Sequence, residues 1–346
     1  MILHYIKIAF RNMWKYKSQT MISLVGLAVG FTCFALGMLW IRYETTFDTF
    51  HRNAKQMYVV YLPSKFSSTD YSRNTFRELT AFLKESFPEI VNITSLIPPS
   101  KERVMIDGTE FPALIMRVDS SFFRLFGVEM LEGNWDFLIP ENRKIAITKQ
   151  KAMQLFGNEN PIGKTVQFEK TIFSDNNELM IGAIISGMPR QSNYAFDLIS
   201  AKPNFTGYSE NTIFELLPGT NMEAFEKKLF ELYNEERGFV GRTTIKSITK
   251  IRYTDPDTQR EVNFQHILMF AVSGLLVVMC SLFNYLTLYM SRFRIRQKEL
   301  ALRVVCGASG SSLWVMLSIE LLFMKLFAVI LGCMLTDLVH NPFLML

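Results

Sequence analysis

The segment Asn158-Glu159-Asn160-Pro161-Ile162-Gly163-Lys164-Thr165 ends in the Gly-Lys-Thr of a phosphate-binding loop, where backbone amides cradle phosphate and the lysine pairs with it. That chemistry needs four residues between two glycines, and Gly157 lies one position too early. Lys149–Phe156 also reads as a helix where a strand is required, so the segment is better read as a helix-ending glycine followed by a turn. Gly307-Ala308-Ser309-Gly310 would serve as a nucleophile elbow only with glycine in place of Ser311. The histidines, His4, His51, His266 and His340, are scattered, with no His-Glu-x-x-His and no carboxylates spaced for a metal. Catalysis assembled from distant residues stays open at this stage, but nothing positive supports it, and the sequence implies no cofactor.

Two polar features remain. Glu320 and Lys325 interrupt an otherwise apolar run, Leu313–Leu335. An unpaired charge at a bilayer centre costs roughly 2.5–3.5 kcal/mol on insertion scales, so an intramembrane polar pair is one reading. Lys325 would pair with Glu320 or with another subunit; the alternative is that Glu320, about two turns from the run's start, has no special role. The second feature is Arg292 through Ala308, in which Glu299 and Arg303 form an i,i+4 pair, Leu300, Ala301 and Val304 offer an apolar stripe, and Gly307 can end a helix. A short amphipathic helix lifted off a membrane is what a transmembrane subunit would offer to a cytoplasmic partner. A solvated connector between two spans is the alternative.

The elements that must position these residues follow from charge and apolar patterning. Uncharged residues concentrate in Thr20–Ile41 (22 residues) and Ile267–Met290 (24 residues), and about 20 suffice to cross a bilayer core. With Leu313–Leu335 as a third span, a wholly soluble protein is excluded. Thr20–Ile41 exceeds the apolar core of a signal peptide, about 7–15 residues, and no small-x-small cleavage site follows it. Residues 1–19 carry Lys7, Arg11, Lys15 and Lys17 and no acid. Residues 291–310 carry five basic residues against Glu299, whereas 43–265 is net −3. The positive-inside rule therefore places 1–19 and 291–310 in the cytoplasm and 43–265 outside. The overall charge of +5 is a topology signal, and no nucleic-acid partner is expected. Cys33, Cys280 and Cys333 fall in spans and Cys306 in the cytoplasmic segment, so the external domain has neither disulfides nor a thiolate zinc site.

Ile2, Ile6, Ala9, Met13 and Trp14 share one helical stripe and Lys7, Arg11 and Lys15 another, which reads as an amphipathic helix on the cytoplasmic membrane face or as an ordinary basic flank. In the external domain, strands at Met57–Leu62 and Glu89–Leu96 flank a helix over Thr75–Phe87. Ile213–Leu217 and Arg242–Ile251 flank the helical Asn221–Arg237 in the same way. Between these blocks lie strand signals at Ala113–Val118, Lys144–Thr148, Thr165–Phe168 and Leu179–Ser186. The expected fold is a membrane protein whose transmembrane α-helices carry a large α+β extracytoplasmic domain of two lobes, inserted between the first and second spans.

At this point the chain resembles a known family. Ile6-Lys7-Ile8-Ala9-Phe10-Arg11-Asn12 and the first span are similar to the entry of MacB-like and FtsX-like ABC permeases. Tyr43-Glu44 and Phe47-Asp48-Thr49-Phe50-His51 resemble the opening of that family's periplasmic core domain. So do Phe122-Phe123-Arg124-Leu125-Phe126-Gly127, Leu131-Glu132-Gly133, and Leu155-Phe156-Gly157 through Asn160-Pro161-Ile162-Gly163-Lys164. Phe283-Asn284-Tyr285-Leu286 and Arg296 through Ala308 resemble its second span and following loop. The similarity keeps its order from residue 2 to about 335.

The resemblance implies a multi-pass subunit of the bacterial inner membrane that hydrolyses nothing itself and works as a dimer with a separate cytoplasmic ATPase. Its implied mechanism is mechanotransmission to the external domain, for export or extraction of an antibiotic, peptide, lipid or lipoprotein. The ATPase-coupling residues would be Gln297, Lys298, Glu299, Leu302 and Arg303. The alternative is an FtsX-like regulator whose external domain binds and activates a cell-wall hydrolase, a periplasmic partner protein. The expected domains are a cytoplasmic amphipathic helix (1–19), a first span (20–42), the periplasmic core domain (43–265), a second span (266–290), a cytoplasmic coupling loop (291–310), a third span (311–335) and an external tail (336–346). The family has four spans per unit, so the tail resembles the connection to a fourth.

Overall fold

The computed structural model describes residues 2–15, 17–64, 71–106, 108–168, 178–203, 210–231, 242–254, 264–307 and 309–343. The chain divides into a helical unit, Met1–Tyr43 with Phe264–Leu346, and a sheet unit, Glu44–Asn263.

In the helical unit, α1 (Ile2–Lys15) precedes α2 (Lys17–Thr45), and Thr20 Oγ1 donates to the Met13 carbonyl at 3.2 Å across the break. Two further helices, α8 (Phe264–Val305) and α9 (Gly310–Phe343), follow the sheet unit in sequence. Thr20–Thr45, Val272–Ser291 and Gly310–Val339 are long and apolar enough to cross a membrane. Two boundaries differ from expectation. The coupling segment is not a separate short helix but the end of the 42-residue α8, because residues 275–305 contain neither glycine nor proline and are rich in good helix formers. Residues 336–343 likewise continue α9 instead of leaving it.

Helices in this unit meet through small residues, which let backbones approach where lipid gives no hydrophobic drive. A Cβ at Gly30 would press into the Ser281 side chain of α8, 2.9 Å from its Cβ. One at Gly332 of α9 would meet Phe31 Cδ1 at 2.6 Å and the Ala28 carbonyl oxygen at 3.2 Å. Thr32 Oγ1 reaches both the Ala28 carbonyl (2.8 Å) and the Gly332 carbonyl (3.2 Å), tying α2 to α9.

The sheet unit contains β1 (Met57–Pro63), β2 (Tyr71–Ser72), α3 (Leu79–Ser86), β3 (Ile90–Ile106), β4 (Thr109–Val118), α4 (Ser121–Phe126), β5 (Met130–Gly133), β6 (Lys144–Thr148) and α5 (Lys149–Phe156). There follow β7 (Thr165–Phe168), β8 (Glu178–Ile185), β9 (Leu198–Ala201), β10 (Asn211–Leu216), α6 (Met222–Glu231), β11 (Thr244–Ser247) and α7 (Ile251–Thr254). Among the described residues the strands run in the order β11-β1-β10-β3-β4-β9-β6-β8-β5, with β2 beside β1 and β7 beside β3 and β8. The pairs β4–β9 and β6–β8 are parallel and the others antiparallel. The helix expected over Thr75–Phe87 starts only at Leu79, since Thr75 is engaged in a bridge to Glu210. The strand expected over Arg242–Ile251 is confined to β11, and part of the helix expected over Asn221–Arg237, beyond Glu231, lies outside the described residues.

Side chains alternate between faces along a strand, and here they feed different cores. Met57, Val59 and Tyr61 of β1 and Ile213 of β10 join Met116, Phe122, Phe126, Ala146 and Tyr194 in one core. Val60 and Phe214 enter a second core beneath α3 and α6, with Leu79, Leu83, Phe225 and Leu229. A third core, with Ile115, Ile145, Ile147, Val166 and Ile181, lies beneath α5. One core is therefore common to the two strand–helix–strand blocks and the middle section, while their helices cover separate ones.

Gly30→Val is expected to lower the thermal midpoint of the detergent-purified chain, at about the 1–3 kcal/mol typical of overpacking. Adding Ser281→Gly to Gly30→Ala should recover most of the smaller loss of the single alanine variant, measured by the same melting experiment.

Candidate functional site

The sequence-expected coupling residues lie on the last two turns of α8. Gln297 and Lys298 are exposed, Leu302 is 64% exposed, and Val305, not singled out by sequence, is 84% exposed. Lys298, Leu302 and Val305 stand at i, i+4 and i+7, hence on one helix face. Of the expected apolar stripe Leu300, Ala301 and Val304, only Leu300 is buried, in a small cluster with Met316 of α9, flanked by Phe293, Leu313 and Leu317. Arg303 Nη1 lies 3.6 Å from Met316 Sδ, so Arg303 lies against α9. Glu299 belongs to the same helical stretch. The turn closes at Gly307, with φ +91°, after Cys306 N–H bonds the Leu302 carbonyl at 2.9 Å. Leu300 and Met316 thus brace a two-helix corner whose outer face is apolar and basic.

Glu320 is buried and Lys325 exposed. Five residues on a helix turn through about 500°, leaving the two about 140° apart.

The sequence reading missed a second site at the entrance to the sheet unit. Glu44, on the last turn of α2, accepts two hydrogen bonds from Arg252 of α7, Nε to Oε2 at 2.7 Å and Nη2 to Oε1 at 3.2 Å. Both side chains are nearly dry, 3% and 8% exposed. The guanidinium also lies 4.2 Å from the centre of the Phe47 ring. The partners are 208 positions apart, and no sequence spacing announces them. Next to this pair, Asp48 takes a left-handed backbone (φ 55°) and donates its N–H to the Gln191 carbonyl. Its carboxylate accepts from Ser192 Oγ (2.5 Å), Asn193 N–H (3.1 Å) and Asn193 Nδ2 (2.6 Å). His51 is buried beside it, Nε2 3.7 Å from Asp48 Oδ1, with its ring edge-on to Phe126. The Phe-Asp-x-Phe-His segment is a knot that folds the chain leaving α2 against the loop before β9.

The sheet unit's other resembling motifs also help to hold the fold. Phe122, Phe123, Leu125 and Phe126 are all buried on α4, which Gly127 ends at φ +66°. Gly133, at φ +95°, runs so close to β8 that a Cβ would lie 2.7 Å from Ala183 Cα. Lys164 is held by Glu159 at 2.5 Å and lies over the Phe156 ring, a helix-to-strand turn and not a phosphate cradle. The Lys164 ammonium keeps the Glu159 carboxyl below its usual range. Among the described residues, no three His, Cys, Asp or Glu side chains gather to share a metal ion.

A third polar cluster lies between β3 and β10. Glu210 binds Lys202 Nζ (2.9 Å), Ser95 Oγ (2.7 Å) and Arg77 Nε (3.3 Å), and Lys202 also hydrogen-bonds Ser95. Burial is the largest single influence on Glu210 and opposes its ionisation. The bonds from Lys202, Ser95 and Arg77 together outweigh it and lower its pKa. Burial pushes the Tyr194 phenol up, against the pull of Arg73.

Two expectations follow. Glu44→Gln should destabilise the chain by about 3–5 kcal/mol, because it strands a buried guanidinium. Glu44→Leu with Arg252→Met should cost much less than the sum of the single changes, as a double-mutant cycle of thermal unfolding can show. Glu210 has a depressed folded pKa, so its contribution is complete above the unfolded glutamate pKa and is lost as pH falls through the lower, folded one. The stability gap between wild type and Glu210→Gln should therefore be widest near neutrality and shrink on acidification below the ordinary glutamate range.

Comparison with known proteins gives these features a family. The profile of the MacB-like periplasmic core domain matches residues 20–232. Similar solved structures include a permease protein domain from Porphyromonas gingivalis, 14% identical with TM-score 0.47, covering 64% of this chain and 99% of that one. The periplasmic region of MacB from Actinobacillus actinomycetemcomitans is 16% identical with TM-score 0.43, covering 60% and 95%. The extracellular domain of the noncanonic ABC-type transporter YknZ from Gram-positive bacteria is 15% identical with TM-score 0.42, covering 55% and 99%. No curated protein matches the sequence. With more than half its length matched by that profile, the chain belongs to the MacB-like periplasmic core domain family of ABC transporter permeases.

Proposed function

We propose that the chain is the transmembrane permease subunit of a mechanotransmission ABC transporter. The observation that carries this reading is α8, a helix unbroken from Phe264 to Val305. At about 1.5 Å per residue, 42 residues make a rod of about 63 Å. A helix without a glycine or proline over its last thirty-one residues is stiff along its axis, so a push at the Lys298/Leu302/Val305 face is delivered along it and not absorbed in a joint. A cytoplasmic ATPase dimer would supply the push, closing on ATP, with Gln297, Lys298, Glu299, Leu302 and Arg303 as its contacts. Two such subunits, dimerised in the inner membrane, would move the external domain against a substrate such as an antibiotic, peptide, lipid or lipoprotein. In this reading the patch of sheet beneath α3 and α6 and the patch beneath α5 are the domain's two lobes, moving about their common core.

The test is co-purification of the membrane-extracted chain with ATPase subunits, comparing wild type with Leu302→Glu and with Glu299→Lys/Arg303→Glu. Capture by the wild type, reduced at least tenfold in both variants at equal expression, is expected. Equal capture by all three chains would refute the coupling face, and an ATPase-free wild type would refute the permease reading.

A further inference from the structure

The amphipathic character of α1 is legible from sequence, but its side chains divide in a way that the periodicity does not show. Trp14, expected on the apolar stripe with Ile6 and Met13, is 76% exposed, and Phe10 is 59% exposed. Ile6 and Met13 are half-buried, and α1 packs against α9. Lys7, Arg11 and Lys15 are exposed. Around the helix the order is Met13, Ile6, Phe10, Trp14, Lys7, Arg11, Lys15, an arc of about 200° at about 100° per residue. Three stripes therefore lie side by side: one packed on protein, one of exposed aromatic rings, one of cations.

We propose that the Phe10/Trp14 and Lys7/Arg11/Lys15 stripes form a binding surface for the headgroups of anionic phospholipids. The inference rests on reading α2 as membrane-crossing. Depth supports it: only Tyr16 separates α1 from α2, so the helix is held at the level where a span begins. At that level an amphipathic ring gains by lying at the boundary of headgroup and acyl chain, the position for which tryptophan is favoured. The cations come next in the arc, level with the headgroup phosphates. Charge selects the lipid, since residues 1–19 hold four cations and no carboxylate. A zwitterionic headgroup cancels most of that attraction, whereas an anionic one keeps it. Thr20 Oγ1, bonded to the Met13 carbonyl, ties the last turn of α1 to the start of α2 and limits rotation of the stripes away from the bilayer.

The test uses the full chain in liposomes of phosphatidylcholine with a minority of phosphatidylglycerol, one lipid or the other carrying bromine on its acyl chains. Quenching by each is read as the part of the tryptophan signal that Trp14→Phe removes. Brominated phosphatidylglycerol should quench Trp14 about twofold or more above its share of the bilayer, and the preference should vanish in Lys7→Gln/Arg11→Gln/Lys15→Gln. Inorganic phosphate added to the wild type should leave the preference unchanged. Equal quenching by both lipids, a preference that survives the triple substitution, or competition by free phosphate would each overturn the proposal. Stripping of the chain from membranes by alkaline carbonate would overturn the spanning reading itself. Retention in the membrane without lipid preference would overturn only the lipid surface.

Discussion

Glu44 and Arg252 are removed from water together, and the way the chain enters and closes the sheet unit depends on that removal. A carboxylate or a guanidinium buried alone is costly by several kcal/mol, and the pair is tolerable only with two aligned hydrogen bonds, each inside ordinary hydrogen-bond range. The Phe47 ring against the guanidinium face adds a contact that water would otherwise weaken. Both partners are therefore held to one geometry, and they are the residues by which the chain enters and nearly leaves the unit. Glu44 is the first residue of the sheet unit and Arg252 lies in its last described helix, so the pair joins the two ends of that unit. Asp48 continues the constraint: its unusual backbone turns the chain sharply, and three donors to its carboxylate hold that turn against the 191–194 loop.

Within the sheet unit, the motifs that carry the family resemblance are likewise set by packing and backbone geometry. Asp48, Gly127, Gly133 and Gly157 are positions with positive φ, and Phe122, Phe123 and Phe126 are core. Each is restricted by backbone geometry or by packing volume, which allow few residue types. Such positions identify a fold. The positions where a partner or substrate would be chosen are exposed, and there packing imposes no residue type.

How much was legible follows the same logic. The strands β6 and β7 and the helix α5 have the boundaries the pattern implies, because the apolar run Ile145–Ile147 in β6, the alternation of β7, Thr148 as a side-chain cap and Gly157 as a stop all agree. The long β3 was not legible beyond Leu96, because Pro98 and Pro99 argue against a strand. The register shift between Ile97 and Ser100 resolves this: the prolines occupy a bulge, where no ladder bond is required of them. The four-residue β5 (Met-Leu-Glu-Gly) and β9 (Leu-Ile-Ser-Ala) are no shorter than β7, but they lack the polar–apolar alternation of Thr-Val-Gln-Phe. Gln297 through Arg303 could be placed on a helix but not at the end of the long α8, because their charges mark the end of the apolar span whereas the backbone, free of glycine and proline from 275 to 305, continues unbroken. The Glu44–Arg252 pair had no local signature at all, being a contact of tertiary structure alone.

The helical unit sets its own limit on what these residues can do. Gly30 against Ser281 and Gly332 against Phe31 bring backbones close enough that the helices cannot slide past one another without collision. A hydroxyl shared between the Ala28 and Gly332 carbonyls adds a directional bond in surroundings that offer few alternative partners. Small-residue contacts of this kind resist axial sliding more than they resist tilting about the contact. Through these contacts α2 meets α8 at Gly30 and α9 at Phe31. The Leu300–Met316 contact adds a direct brace between α8 and α9 where the chain turns from one to the other, so the three helices are joined pairwise by contacts of small or apolar side chains.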